Sequence, residues 1–154
     1  MFTLTPCPPD QLDAVLGLFW ETVHTVNAQD YTPDQLDAWA PRDPDQDRWR
    51  KKWETSLVWA AWQDGELAGF ANLEAPDHLD CLYVSARHQR QGVASALAQK
   101  MEELAREAGT SRLRVEASLT ARGFFARRGY RELRRQQVPL RGQLLTNFVM
   151  EKTL

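Results

Sequence analysis

The spacing of hydrophobic residues changes along the chain between helical and strand periods, which predicts an alternation of helices and strands. Four or five helices are expected: residues 10–23, a helix opened by Thr32-Pro33-Asp34 that ends before Pro41, a helix started by Pro44, residues 92–108, and a short helix at about 121–128. The helix at 92–108 has the clearest pattern, because Val93, Leu97, Met101 and Leu104 repeat at helical spacing and Gly109 follows as a C-cap.

The strand pattern predicts a mixed sheet. About seven strands are expected, at residues 2–5, 57–62, 67–73, 79–84, 113–117, 132–138 and 144–150. Short turns at Asp64-Gly65 and Pro76 make the second to fourth strands an antiparallel meander. The helix at 92–108 then leads into another strand, and such a crossover implies one parallel pair. The sequence therefore predicts one α/β (α+β) domain over residues 1–154, with a twisted, mostly antiparallel sheet.

Charge is divided unevenly along the chain. Residues 1–86 contain 5 Lys+Arg and 15 Asp+Glu, whereas residues 87–154 contain 14 and 6, within a net charge of −2. Neither part is poor in hydrophobic residues, so both are expected to fold. The C-terminal part is expected to face an anion, although a chance separation of solvated faces would give the same count.

Several features favour a cytoplasmic location. No window is long and apolar enough to span a membrane, and the first residues do not resemble a signal peptide. Cys7 and Cys81 are too few for a disulfide framework and have no zinc-site spacing, so reduced thiols are expected. No metal is expected.

An anion site is predicted where the strand that ends at Val84 meets the helix that starts near Gly92. The first turn of a helix has N–H groups without acceptors and carries partial positive charge. Small residues at 92 and 94–96 let an anion approach this backbone. Three basic side chains precede it: Arg87, His88 and Arg90. The segment is neither a Walker P-loop nor a dinucleotide fingerprint, and a glycine that only permits a tight turn is the alternative.

This turn resembles the acetyl-CoA signature of the GNAT N-acetyltransferase superfamily. It has the form Q-x-x-G-x-A over Gln89–Ala94 and follows a strand that ends in Leu82-Tyr83-Val84. The segment 115–130 is similar to the second cofactor-facing block of the same superfamily, and segments 31–40 and 145–152 are similar to small bacterial members of the YafP type. The matched segments span nearly the whole chain, and the predicted element order fits the GNAT fold.

The resemblance implies a ternary-complex N-acetyltransferase that uses acetyl-CoA. The pantetheine arm would lie between the strands at 79–84 and 113–118, on the backbone of Leu82, Tyr83 and Val84. An N–H group near Val84 would polarise the thioester carbonyl. Ser118 and Phe125 lie where family members often contact the cofactor. The N–H groups of residues 89–95 would bind the pyrophosphate: Gln89, Arg90, Gln91, Gly92, Val93, Ala94 and Ser95.

The attacking amine must lose a proton, so a base is expected near the thioester. Glu74 and Asp80 are the main candidates, and His78 is a weaker one. Alternation along the strand at 79–84 places Asp80 on the same face as Leu82 and Val84. Each candidate has a structural alternative, either a solvated side chain or an internal hydrogen bond.

At one position the chain departs from the family pattern. Many members have a tyrosine four residues before the glycine of a Gly-aromatic pair, where it protonates the departing thiolate; here that residue is Phe125, before Gly129-Tyr130. Water, Ser118 or Tyr31 could replace it, or the thiolate could leave unprotonated. No general acid is assigned, and a non-catalytic acyl-CoA-binding or sensing module is the alternative function.

The acceptor is expected to be a primary amine of a small molecule or a peptide, bound by the segment from about 23 to 53. Tyr31 and Trp39 are candidates for the substrate pocket, whereas Trp49 and Trp53 are expected in the core. Three carboxylates near these aromatic residues could hold a cationic amine: Asp30, Asp34 and Asp37.

Neither a nucleic-acid nor a membrane partner is expected. The segment 122–141 is rich in arginine, but its arginines are expected to alternate with core positions, no nucleic-acid motif occurs, and the pI is about 5.9. The sequence is compatible with a monomer or a homodimer.

Overall fold

The computed structural model describes all 154 residues as a seven-stranded sheet with helices on both faces. The strands are β1 (Thr3–Pro6), β2 (Ser56–Gln63), β3 (Glu66–Glu74), β4 (His78–Val84), β5 (Arg112–Ser118), β6 (Arg131–Leu140) and β7 (Gln143–Thr153). The helices are α1 (Leu12–Thr25), α2 (Pro33–Trp39), α3 (Gln46–Thr55), α4 (Val93–Glu107) and α5 (Arg122–Arg127). The predicted order of elements is confirmed.

The strands lie in the order β1-β2-β3-β4-β5-β7-β6. All neighbours are antiparallel except β4 and β5. The parallel pair follows from the α4 crossover, since a helix must carry the chain back before the next strand can run in the same direction. The mixed sheet predicted from the sequence is therefore confirmed.

Local capping explains where α2 and α3 begin. Thr32 and Gln35 form a capping box, in which the Thr32 hydroxyl accepts the Gln35 N–H and the Gln35 side chain accepts the Thr32 N–H. The Asp45 carboxylate accepts the Arg48 N–H at 3.1 Å, so α3 begins at Gln46 rather than at Pro44. These caps fix the short helices that cover one face of the sheet.

Two hydrophobic clusters lie on opposite faces of the sheet. One contains α4, with Leu97 and Met101 fully buried against Leu79 and Phe148. A Cβ atom at Gly69 would lie 2.8 Å from the Tyr83 carbonyl oxygen and 3.2 Å from side-chain atoms of α4. The glycine therefore lets α4 pack closely over β3 and β4.

The second cluster contains α1, α2 and α3. It is rich in aromatic side chains, among them Phe19, Trp53 and Phe70, with Trp53 and Phe70 rings 5.7 Å apart. Its layer covers the face of the sheet opposite α4. β4 and β5 lie in the middle of the sheet, and one face of β5 is exposed at Arg112 and Arg114.

A buried carboxylate joins the elements of the α4 layer. Glu102 of α4 accepts hydrogen bonds from Arg128 at 2.8 and 2.9 Å, from Tyr130 at 2.9 Å and from Lys152 at 3.2 Å. Burial would raise the pKa of Glu102, but these donors lower it below its ordinary value. The predicted packing role of Tyr130 is therefore accompanied by a hydrogen bond to α4.

The arginines of β6 do not alternate with core positions. β6 is the edge strand of the sheet, and Arg131, Arg134 and Arg135 are exposed together with Leu133. That part of the sequence interpretation is wrong, because an edge strand paired only with β7 has most of its side chains in solvent.

None of the helices combines the length and the apolar character that a membrane span requires.

Candidate active site

β4 pairs with β5 only through its first two residues. His78 is in register with Arg114 and Leu79 with Val115, and no later residues of these strands pair. β5 remains paired with β7 as far as Ser118, so the opening lies between β4 and β5. The backbone of β4 beyond Leu79 therefore has no strand partner on this side. An extended ligand can hydrogen-bond to such a backbone as an added strand.

The N-terminal turn of α4 follows the open end of β4. Gly92, its N-cap, has φ of +84°, a conformation that favours glycine. The Ala96 N–H donates to the Gly92 carbonyl at 3.0 Å. The N–H groups of Val93, Ala94 and Ser95 precede that bond, so they have no acceptor within the helix. Together with the helix dipole they can bind a phosphate.

The three basic side chains near this turn differ in exposure and pairing. Arg87 forms an ion pair with Glu66, and His88 is buried. Arg90 is exposed and has no ion-pair partner, and its φ of +60° belongs to the tight turn before Gly92. The expectation of added charge therefore stays a prediction for Arg87 and Arg90, whereas the His88 ring is buried away from the surface of the turn.

The side chain of Gln89 stabilises the loop, although the residue is exposed. Its Nε2 donates to the carbonyl oxygens of Val84 at 2.7 Å and Ser85 at 3.4 Å. Gln91 is exposed and has one long side-chain bond, of 3.5 Å, to the Arg87 carbonyl. The side-chain donor of Gln89 is therefore engaged within the loop, and its backbone N–H is the donor proposed to meet a phosphate.

A β-bulge lies at Asp80. Asn72 is in register with Cys81 but Leu73 with Leu79, so Asp80 is an extra residue on β4. The buried Asn72 side chain stabilises the bulge, since its Oδ1 accepts the Cys81 N–H at 2.9 Å and its Nδ2 donates to Asp80 at 3.2 Å. The bulge interrupts the regular alternation of β4.

This bulge overturns the predicted orientation of Asp80. Alternation placed it with Leu82 and Val84, but those two side chains pack in the α4 layer. Asp80 instead lines a cavity in the opposite layer, together with Cys81 and Tyr83. The extra residue shifts the phase of the strand, which puts two consecutive residues on the same side.

The cavity that Asp80 lines has a volume of about 230 Å³ and lies among α1, α2, α3, β4 and the β6–β7 turn. Its walls include four aromatic residues: Phe19, Trp39, Trp49 and Tyr83. Five charged side chains also line it: Asp45, Arg48, Lys52, Asp80 and Arg141. Because three lining residues belong to β4, this strand borders both the cavity and the opening to β5.

An ion pair occupies the wall of the cavity at the bulge. Lys52 Nζ lies 2.8 Å from Asp80 Oδ2, and both side chains are mostly buried. Burial would raise the pKa of Asp80, but the Lys52 charge and hydrogen bonds from Lys52 and Asn72 lower it. Burial likewise opposes the charge of Lys52, but Cys81, Asp80 and Glu74 raise its pKa. Both groups are therefore held in their charged forms.

A second charged group lies beside this pair. His78 Nε2 lies 2.7 Å from Glu116 Oε2, and its Nδ1 lies 3.4 Å from Glu74 Oε1. The hydrogen bond to Glu116 raises the pKa of His78 and lowers that of Glu116. Ligand atoms of Glu74, His78 and Asp80 lie within 4.8 Å of one another, a spacing that could hold a metal ion. His78 and Asp80, however, already have partners within the chain.

Tyr31 is a structural residue rather than a lining residue of the cavity. It is buried, its hydroxyl donates to the Thr146 carbonyl at 2.7 Å, and the same hydroxyl accepts the Leu119 N–H at 2.9 Å. Burial raises the pKa of Tyr31. Tyr31 does not line the cavity, and its hydroxyl already has two backbone partners, so its predicted pocket role gains no support from this position.

The other aromatic candidates divide between core and cavity. Trp39 lines the cavity, and its role in a substrate pocket stays a prediction. Trp53 is buried in the core as expected, but Trp49 lines the cavity, so its expected core role is only partly right. None of the carboxylates expected to hold the amine lines the cavity: Asp30, Asp34 and Asp37.

The second predicted cofactor block is at the end of β5. Ser118 Oγ accepts the Ala121 N–H at 3.0 Å and so stabilises the turn before α5. Phe125 is only 2% exposed, with ring centroids 5.1 Å from Phe124 and 5.0 Å from Tyr130. The Phe125 ring therefore belongs to the core, and the proposed contact between this ring and a cofactor gains no support from its burial.

Sequence reasoning missed several residues of the site. They come from separate segments: Arg48, Lys52, Asn72, Glu116 and Arg141. One signal was available, since Lys52 follows Trp49 by three residues and therefore lies on the same face of α3. The other residues are brought together only by the tertiary fold.

Comparison with known proteins identifies the family. The family model described as "Acetyltransferase (GNAT) domain" matches residues 27–153. The chain is 34% identical over 142 residues to an uncharacterized N-acetyltransferase, YafP, of Escherichia coli (strain K12), which covers 92% of this chain and 89% of YafP.

Solved structures of acetyltransferases have a fold similar to that of this chain. The crystal structure of a GCN5-related N-acetyltransferase from Rhodopseudomonas palustris, also named a class-II aminotransferase, has 34% identity and a TM-score of 0.95, and the match covers 99% of this chain and 95% of that one. PaiA N-acetyltransferase from Thermoplasma acidophilum, solved with coenzyme A, shares the fold at 16% identity with a TM-score of 0.81, over 100% and 99% of the two chains. The chain therefore belongs to the GNAT acetyltransferase family.

Proposed function

We propose that this protein transfers an acetyl group from acetyl-CoA to a primary amine by direct attack in a ternary complex. The observation that carries the proposal is the position of β4. Its free backbone edge faces the opening to β5, and its bulge faces the cavity with Asp80. A thioester on one side of β4 and an amine on the other would therefore meet at the bulge, and such positioning supplies much of the acceleration.

The proposed cofactor site uses mainly backbone groups. Leu82, Tyr83 and Val84 would hydrogen-bond the pantetheine arm, and the N–H groups of residues 89–95 would bind the pyrophosphate. Arg90, which is exposed and has no ion-pair partner, would add a positive side chain. The coenzyme A in the PaiA structure supports this proposal through a shared fold. Ser118 lies beside the opening, at the end of β5.

Asp80 is the proposed first acceptor of the amine proton. It lies on the cavity wall at the bulge, whereas Glu74 lies outside the cavity and is half exposed, with His78 between it and Glu116. The low pKa of Asp80 makes it a weak base, so the proton must pass on to solvent. Glu74 is the proposed second carrier, because its carboxylate lies next to Asp80.

The reaction then needs no side-chain acid. The amine nitrogen forms a bond to the thioester carbon, the carbon–sulfur bond breaks, and coenzyme A leaves as a thiolate of moderate basicity. The two hydroxyl groups considered as acids both have structural partners. The Tyr31 hydroxyl forms hydrogen bonds with the Thr146 carbonyl and the Leu119 N–H, and the Ser118 hydroxyl accepts the Ala121 N–H.

A thiol-release assay with acetyl-CoA and a panel of primary amines tests the proposal. We expect amine-dependent release of free coenzyme A, with the acetylated amine identified by mass spectrometry. Calorimetry with acetyl-CoA should be run in parallel. Binding of acetyl-CoA without turnover of any amine would favour a non-catalytic acyl-CoA-binding module. No binding at millimolar concentration would refute both functions.

A further inference from the structure

We propose that the acceptor is an amine that carries an anionic group, a carboxylate above all, at the far end of an aromatic or other flat apolar body. This inference rests on the proposed function and concerns the ligand of the cavity beside β4. It follows from three properties of the cavity wall: its aromatic residues, the unpaired guanidinium groups and the single carboxylate at the bulge.

The aromatic residues define the body of the ligand. Phe19, Trp39, Trp49 and Tyr83 come from four different elements and all line the cavity. Their rings contact one another, with centroids of Phe19 and Trp49 4.9 Å apart and of Phe19 and Tyr83 5.1 Å apart. Such walls favour a flat apolar group, which stacks against rings or meets their edges.

The balance of charge defines the far end of the ligand. Lys52 and Asp80 neutralise each other, and the carboxylate of Asp45 is engaged in capping α3. Arg48 and Arg141 have no carboxylate within ion-pair distance. The three cations of the cavity wall outnumber its two carboxylates, so one net positive charge remains and neither guanidinium group has an ion-pair partner.

Arg141 is held in place for such a role. Its Nη1 donates to the Ala38 carbonyl at 2.6 Å, which ties the β6–β7 turn to α2 and leaves the other donors of the guanidinium free. Arg48 lies on α3, one turn before Lys52. A carboxylate matches the planar arrangement of guanidinium donors, and these charge-assisted bonds are stronger than neutral ones.

The amine end belongs at the bulge. Asp80 is the one acidic lining residue on β4, the strand that also borders the opening to β5. Both arginines are exposed, whereas Asp80 is mostly buried, so the arginines lie nearer the solvent side of the cavity. A ligand with its amine at Asp80 and its anionic group at the arginines would satisfy both ends.

Equilibrium binding in the presence of coenzyme A tests this inference independently of turnover. The probes are benzylamine, 4-(aminomethyl)benzoate, 4-(aminomethyl)phenylphosphonate and the dication p-xylylenediamine, measured by calorimetry. We expect the benzoate to bind about tenfold or more tightly than benzylamine, as a charge-assisted hydrogen bond in a partly buried site predicts. Tighter binding of the phosphonate than of the benzoate would assign a phosphate group to this end instead.

Variants locate the effect. Arg48→Met and Arg141→Met should each remove most of the preference for the benzoate and leave benzylamine binding unchanged. Arg50→Met is the matched control, because Arg50 lies on the same helix, pairs with Asp47 and does not line the cavity. Since Arg141→Met also removes a bond to α2, a thermal melt of that variant and the Arg141→Lys variant separate loss of charge from loss of fold.

Two results would overturn the inference. Equal binding of benzylamine and the benzoate would show that the arginines do not recognise an anion, and tighter binding of the dication would reverse the proposed polarity. A clear preference for the benzoate without any acetylation would leave the ligand class standing and refute the proposed function instead.

Discussion

The two sides of β4 differ in the groups that they offer to a ligand. On the side of α4, the proposed cofactor site consists of backbone N–H and C=O groups in one continuous segment, from β4 through Gly92 to Ser95. On the other side, the cavity is built from side chains of five separate segments. Backbone groups suit a ligand that is the same for every member of a family, whereas side chains can change with the acceptor.

The largest effect is expected on the cavity side of β4, which includes Asp80 and which we call the side-chain face. Asp80→Asn removes the proposed proton acceptor at the bulge, and we expect turnover to fall by about 10³-fold, a typical loss for a general base. Affinity for acetyl-CoA should change little. The measurement is single-turnover thiol release together with calorimetry. Asp77→Asn is the matched control, because Asp77 is exposed in the turn before β4.

Lys52→Met separates the loss of the base from the loss of the ion pair. It keeps the Asp80 carboxylate but removes the charge that lowers its pKa. The pKa of Asp80 should therefore rise, and the acid limb of the pH–rate profile should move to higher pH, while turnover at alkaline pH persists. An Asp80→Asn enzyme with unchanged turnover would contradict the proposed role, and Glu74 would then be the remaining carboxylate candidate.

The second-largest effect is expected in the segment from β4 through Gly92 to Ser95, which we call the backbone face. Gly92→Glu places a carboxylate at the N-terminus of α4, and we expect acetyl-CoA affinity to fall by more than about 100-fold through repulsion of the phosphates. Gly109→Glu is the control, since Gly109 follows the other end of α4 with φ of +81°, close to the +84° of Gly92, and a Cβ atom meets nothing at either position. Equal losses in the two variants would attribute the effect to backbone strain alone.

A stability measurement tests how the backbone face is held together. Glu102→Gln leaves Arg128 and Lys152 without their buried counter-charge, and we expect a loss of about 3 kcal/mol in the free energy of unfolding. The pKa of Glu102 lies below its ordinary 4.5 in the folded protein. The contribution of the Glu102 charge to the free energy of unfolding is therefore present above pH 4.5. It is lost as the pH falls below 4.5 and through the lower pKa of the folded state.

Chemical denaturation at neutral and acidic pH measures this contribution. The difference in stability between wild type and Glu102→Gln should shrink as the pH falls below 4.5. A difference that stays constant across that range would show that the carboxylate charge does not contribute. Ligand binding in the cavity beside β4 should be unchanged at neutral pH, because Glu102 lies in the opposite layer.

The smallest effect concerns the residue at which this chain departs from the family pattern. Phe125→Tyr adds a hydroxyl group to a ring that is packed between Phe124 and Tyr130. We expect stability to fall by about 1–3 kcal/mol, as for an unsatisfied buried hydroxyl, without a gain in turnover. Thermal melts and thiol-release rates measure the two effects. A clear rise in turnover would show that the hydroxyl reaches the departing thiolate.

The sequence predicted the backbone face better than the side-chain face, for a physical reason. Gly92, the small residues after it and the repeat of Leu97 and Met101 act through local geometry, so a single segment contains the whole signal. The sheet order also followed from short turns and one crossover. The identity of the anion depended on the family resemblance, because helix geometry alone specifies only a phosphate.

The side-chain face escaped prediction because tertiary structure decides it. The bulge at Asp80 depends on a hydrogen bond from Asn72, a residue on another strand, and alternation along β4 does not reveal it. Arg48 and Arg141 are 93 positions apart and meet at one cavity. Tyr31 is an aromatic residue of the type that often lines a pocket, but its hydroxyl forms hydrogen bonds with two backbone groups that are distant in sequence.

Hydrogen–deuterium exchange of the wild-type protein with and without acetyl-CoA tests the division between the two faces most directly. The account predicts protection of amides in residues 80–84 and 93–95, and little change at residues 48–52 of α3. Protection confined to α3 and the β6–β7 turn, with β4 and the first turn of α4 unchanged, would contradict it.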